Sequence, residues 1–154
     1  MIKASSLIKN ILISSGVGLL AAFFIGDFSN VYYQIARPAL APPSWLFPVV
    51  WTVLYVLMGI SAYIINEEKS QRSAVLLALA TYYIQLALNF IWPFLFFKFK
   101  LFKFSFIWIV GLWILVLVMI IKFYKINKIA AYFQLPYLAW LTFAAYLNFS
   151  AAVF

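Results

Sequence analysis

The chain has 154 residues, of which 68% are hydrophobic and 9% charged, against roughly 25% charged residues in a soluble domain, so this is a membrane protein with no room for a separate soluble domain. It contains no cysteine and no histidine, which excludes disulfides, thiolate chemistry, zinc fingers and the commonest axial ligands of haem iron. The net charge of +8 sits on 11 Lys and Arg against Asp27, Glu67 and Glu68, and reads as basic anchors flanking membrane spans, with no nucleic-acid surface.

Spans of about 20 residues with short connections use up this length. The expected fold is all-α, an integral membrane bundle of five transmembrane helices in one domain over 1–154. The first span is expected over 7–26, apolar apart from Lys9, Asn10 and a few serines. Lys3 and Lys9 ahead of an apolar run also fit a signal peptide, but no small-x-small cleavage site follows. The connection 27–43 carries Tyr32, Tyr33 and Arg37, then Pro38, Pro42 and Pro43. These prolines fix torsions and remove amide donors, so the segment before Ser44 is expected to be an ordered, extended lid. A loop of this length in so small a bundle is usually functional.

The second span is expected over 44–66, with Ser44 as N-cap and Pro48 in the first turn, where a missing N–H costs little. Trp51 and Tyr55 are four apart and share a face. The polar run NEEKSQR ends this span, and the third is expected over 73–97. Gln85, Asn89 and Trp92 share one of its faces, and Pro93 is expected to kink or loosen it. Ala74 and Ala78 form a small-xxx-small pair that allows close helix approach, either in a homodimer or within one chain. Lys98, Lys100 and Lys103 lead into the fourth span, expected over 104–122 with Trp108 and Trp113 in its first half, as lipid-facing or bundle-filling. The fifth is expected over 129–153, lightly broken by Pro136, with Trp140, Ala144 and Asn148 recurring every four residues.

Polar groups in hydrocarbon are unfavourable without partners, so Gln85, Asn89 and Asn148 should face the bundle interior. Two readings of these stripes stay open: helix packing, for which amides and small residues are ordinary glue, or a cavity for a flat ligand. Trp45 and Trp108, near span ends, fit interfacial anchors. Trp51, Trp92 and Trp140 lie deeper and would form an aromatic slot if they converge. No acid lies within a span, which argues against ion-coupled transport, as does the absence of an internal repeat. Lys3, Lys9, Lys69, Arg72, Lys122, Lys125 and Lys128 on one side, against Arg37, Lys98, Lys100 and Lys103 on the other, place the N-terminus in the cytoplasm. The first loop and the C-terminus then lie opposite.

Three segments carry a family resemblance: PALAPPSWLFPVVWTVLYVLMG from Pro38, QLALNFIWPFLFF from Gln85 and PYLAWLTFAAYLNF from Pro136. In order and spacing they resemble the translocator protein and tryptophan-rich sensory protein family, TspO/MBR. That resemblance implies a five-helix bundle, often a homodimer, with a pocket under the first loop that binds porphyrins such as protoporphyrin IX, and in some members sterols or benzodiazepine-type ligands. It points to Trp51, Tyr55, Asn89, Trp92, Trp140, Ala144 and Leu147 as pocket lining, with Tyr32, Pro42 and Pro43 from the loop. In some bacterial members the tryptophans matching Trp51 and Trp140 support light-dependent oxidative porphyrin breakdown, which makes these two the candidate catalytic residues.

The expected function is therefore a membrane receptor or sensor with porphyrin as ligand, no metal and no required cofactor. Photo-oxidation, or translocation of tetrapyrroles or lipids, are the alternatives. The chain departs from the family at Leu40, where many members have an aromatic residue. It also carries no base after Asn148, where the animal sterol motif needs one; a loose match at Val118, Tyr124 and Lys128 is a weak pattern.

Overall fold

The computed structural model describes residues 3–35 and 38–153; Arg37, counted above on the lid side, lies outside the described residues. Helices run over α1 (Ala4–Ile25), α2 (Ser29–Gln34), α3 (Leu46–Glu67), α4 (Arg72–Pro93), α5 (Phe102–Ile126), α6 (Lys128–Tyr132) and α7 (Leu135–Val153), with no strand among the described residues. Four segments are long and apolar enough to cross a membrane: α1, α3, α4 with its continuation to Lys98, and α5. α7 has 19 residues, but Thr142, Asn148 and Ser150 dilute its apolar character.

Prolines set the breaks, for local reasons. Pro93 has no N–H to return to the Asn89 carbonyl, and the ladder slips there into a π-helical turn over Phe94–Lys98. Pro136 likewise cannot donate to the Tyr132 carbonyl, and Tyr132 is where α6 stops. The predicted fifth span is therefore two pieces, separated at Phe133 and Gln134, with Pro136 tolerated in the first turn of α7. Pro48 sits in the first turn of α3 as expected. Ser44 does not cap that helix. Its hydroxyl lies 3.0 Å from the Tyr33 hydroxyl, and the N-cap position falls to Trp45 without a side-chain bond. The connection ahead of the proline segment contains α2, held at its start by Asp27, whose carboxylate accepts from the Ser29 amide at 2.9 Å.

The core lies between α3, α4, α5 and α7. Met58, Ala62, Ile65, Ala78, Val116, Met119 and Phe123 are completely excluded from the surface. Ala78 is thus packed inside the chain, and Ala74 is half-buried. Two tryptophans tie α5 to its neighbours at the edge of the core. Trp113 Nε1 donates to Thr142 Oγ1 at 2.8 Å, and Trp108 Nε1 donates to the Leu88 carbonyl at 3.0 Å, so Trp108 ties α5 to α4 and is not a free interfacial anchor.

α1 buries only Asn10, Ser14 and Ala21, and close backbone approach holds it in place. A Cβ on Gly59 would stand 2.5 Å from the Ile11 Cα, and the Ser14 hydroxyl donates to the Tyr55 carbonyl at 2.7 Å. At its N-terminal end Lys3 Nζ pairs with Glu67 Oε2 at 2.7 Å, and Ser6 Oγ donates to Glu67 Oε1 at 2.9 Å. Asn127 donates to Glu68 nearby.

Gly59→Ala should cost about 1–3 kcal/mol through overpacking against α1. The measurement is the unfolding midpoint in detergent, with Gly111→Ala, where a Cβ meets nothing within 4 Å, keeping the wild-type value. Equal midpoints for the two variants would refute the close-packed α1–α3 seam.

Candidate ligand cavity

Between α1, α3, α4 and α7, at the end where α2 and the proline loop cross, lies a cavity of about 300 Å³. Three tryptophans reach it from three helices: Trp51 on α3, Trp92 on α4 and Trp140 on α7. The convergence that helical spacing left open is therefore present. The face shared by Trp51 and Tyr55 follows from their i,i+4 spacing, and their rings lie 5.5 Å apart.

Just beneath the indoles runs a chain of buried hydrogen bonds. The Tyr55 hydroxyl donates to Asn89 Oδ1 at 2.5 Å. Asn89 Nδ2 donates to the Tyr137 hydroxyl at 2.9 Å, which in turn donates to Gln85 Oε1 at 2.9 Å. This chain joins α3, α4 and α7. It sets the Tyr55 and Asn89 side chains at the cavity floor, while Gln85 stands behind Tyr137 and away from the lining. Asn148 is also interior, as expected, and accepts from Ser105 Oγ at 3.2 Å.

The lid is aromatic. Phe28 contacts Phe97 at 5.3 Å and Phe47 at 5.9 Å between ring centroids, and Phe47 meets Trp140 edge-on at 5.7 Å. Behind Phe47 stands Tyr32, 5.1 Å away, whose hydroxyl donates to the Pro42 carbonyl at 2.6 Å.

Of the expected pocket residues, Trp51, Tyr55, Asn89, Trp92, Trp140 and Ala144 line the cavity. Tyr32, Pro42, Pro43 and Leu147 do not. Tyr32 and Pro42 brace the lid from behind, Pro43 is exposed, and Leu147 is buried one turn beyond Ala144 on α7. Residues that sequence reasoning missed are Phe28 and Phe47 of the lid and, above all, the α1 wall of Gly18, Ala21 and Ala22. The clustering of small residues in α1 was the available signal. Its reason is steric: a Cβ on Gly18 would stand 2.2 Å from the Tyr55 ring.

Chemically the cavity is an apolar, aromatic slot with a few donors. The indole N–H groups of Trp92 and Trp140 are buried without a hydrogen-bond partner. No charged side chain lines it, and among the described residues no group of acids could hold a metal.

The model of the TspO/MBR family matches residues 10–153. A tryptophan-rich protein TspO of Archaeoglobus fulgidus is 36% identical over 145 residues, covering 94% of this chain and 93% of its own. The tryptophan-rich sensory protein of Cereibacter sphaeroides is 33% identical, covering 78% and 73%, and the translocator protein of Sus scrofa 34% identical, covering 81% and 75%. With a family match along nearly the whole chain, and with membrane-crossing helices and an aromatic slot between them, this protein belongs to the TspO/MBR family of membrane sensor and translocator proteins.

Proposed function

We propose that the chain is a membrane receptor that binds a flat hydrophobic tetrapyrrole, of the protoporphyrin IX type, in the cavity under the lid. One observation carries this reading: Trp51, Trp92 and Trp140, from three different helices, present their rings to a single apolar space. Stacking on indoles suits an extended π-system, and the two unpartnered indole N–H groups suit acceptors at its rim. The names of the relatives, sensory protein and translocator protein, fit a ligand-handling role. A volume of about 300 Å³ lies at the bottom of the range of roughly 300–1,000 Å³ for small-molecule sites. A macrocycle therefore enters with displacement of Phe28 and Phe47.

The same reading makes α7 the fifth crossing. It packs along α5 through the Trp113–Thr142 and Ser105–Asn148 bonds, and the positive-inside count then puts the lid on the side away from the cytoplasm. Photo-oxidation is favoured as a second activity by Trp51 and Trp140 lining the same cavity. In that scheme excited porphyrin exchanges an electron with an indole and dioxygen is the terminal oxidant. Neither step needs a metal or a titratable base.

Titration with protoporphyrin IX should quench tryptophan fluorescence and shift the Soret band, and Trp51→Phe with Trp140→Phe should weaken affinity about tenfold, from the stacking area lost when two indoles become phenyl rings. Binding no tighter than to empty micelles would refute the reading. Gly18→Ala, which pushes the Tyr55 ring off Asn89, should weaken binding in the same assay while Gly16→Ala, where a Cβ meets nothing, leaves it unchanged. Under illumination, protein-dependent loss of the Soret band that disappears in the double tryptophan variant would establish catalysis; a stable Soret band would leave a receptor alone.

A further inference from the structure

A second cavity, of about 330 Å³, opens at the opposite end of the bundle between α1, the end of α3 and α4. Its lining differs in kind from the aromatic slot. Ser5, Lys9, Asn10, Asn66 and Tyr83 all bring hydrogen-bonding side chains to it, and Ile13 forms its apolar depth. Along α1, Ile13 lies about 12 Å beyond Ser5 at 1.5 Å per residue, so the cleft passes from a polar rim into the apolar body of the bundle.

The local charges are unequal. The carboxylate nearest the rim, Glu67, is held by Lys3 at 2.7 Å and by Ser6 Oγ at 2.9 Å. Among the described residues no carboxylate lies within ion-pair distance of Lys9, which leaves its ammonium as the uncompensated charge of the cleft. Asn10, only 8% exposed, is held in place by its bond from Nδ2 to the Ser6 carbonyl at 2.9 Å. Beside the cleft, Ile8 and Leu12 stand exposed on α1 at 55% and 65%, an apolar strip of the kind that acyl chains cover.

We infer that this cleft is a second ligand site, for the phosphoryl anion of a membrane-lipid headgroup, with Lys9 as its counter-charge and the side chains of Ser5 and Tyr83 as hydrogen-bonding partners. A lipid is favoured over a soluble anion because one continuous surface offers a cationic polar rim, the apolar Ile13 below it and the exposed strip alongside. A headgroup there bridges the start of α1, the end of α3 and the middle of α4, which stabilises the end of the bundle remote from the lid. The chemistry is independent of the aromatic slot, and loss of one site leaves the other intact.

Native mass spectrometry of the detergent-purified full-length chain tests this, with dioleoyl phosphatidylglycerol and dioleoyl phosphatidylcholine as probes. Phosphatidylglycerol should be retained preferentially, and Lys9→Gln should reduce its retention about fivefold, the loss of one lysine near an anionic surface. Lys125→Gln, exposed at the same end but outside the cleft, should change nothing, and protoporphyrin titration of Lys9→Gln should match wild type, showing an intact fold. Absence of preference for phosphatidylglycerol, or equal losses in the two lysine variants, would overturn the site. A parallel arm with inorganic phosphate alone identifies the source: a Lys9-dependent rise in unfolding midpoint with phosphate but none with phosphatidylglycerol would overturn the lipid assignment.

Discussion

The hydrogen-bond chain from Tyr55 through Asn89 and Tyr137 to Gln85 fixes the rest of the arrangement. In hydrocarbon no water is available to a stray hydroxyl or amide, and an unpaired group costs several kcal/mol. The three bonds among these four residues, which leave Gln85 Nε2 without a partner, set the rotation and height of α3, α4 and α7 relative to one another. The three pocket indoles each lie one turn from a member of this chain, and all toward the lid. Trp51 precedes Tyr55 by four, Trp92 follows Asn89 by three, and Trp140 follows Tyr137 by three. A polar ring thus sits directly beneath an aromatic ring, and aligning the first aligns the second.

The same logic explains why α1 is lined with small residues. α1 contributes little buried apolar bulk, so its attachment depends on dispersion between closely approaching backbones, as is usual between membrane helices. Gly59 admits the α1 backbone, Gly18 admits the Tyr55 ring, and Ser14 spans the seam with a bond to the Tyr55 carbonyl. Tyr55 is therefore gripped from α1 on one side and from Asn89 on the other. Its ring position, and with it the cavity floor, depends on a helix that supplies no polar group to the lining.

Much of this was legible in the sequence, and the omissions have physical causes. Span positions followed from apolar runs and basic turns, and the inward faces of Gln85, Asn89 and Asn148 followed from the cost of polar groups in hydrocarbon. Helical spacing defines which residues share a face, but it cannot say which faces meet. That is why Trp51, Trp92 and Trp140 were readable as three stripes and not as one slot. Tyr137 carries no such signal in its spacing, yet it is the central member of the polar chain because α7 places its hydroxyl between Asn89 and Gln85. Trp108 read as an anchor from its place near a span end, whereas the Leu88 carbonyl across the seam claims its N–H. Ser44 read as a cap from local grammar, and a tertiary partner, Tyr33, takes its hydroxyl.

The lid shows how a loop rich in prolines can remain coupled to the cavity beneath it. The Tyr32 hydroxyl fastens α2 to the Pro42 carbonyl, and the rings of Phe97, Phe28, Phe47 and Trp140 then run in successive contact from the π-helical turn to α7. Aromatic edge-to-face contacts are individually worth about 0.5–1.5 kcal/mol, small enough to exchange for contacts with an entering ring. Phe47 cannot make that exchange alone, because Tyr32 stands against its far side. A displacement of Phe47 away from Trp140 therefore presses on Tyr32 and the α2 segment, so that the slot and the lid are coupled through packing.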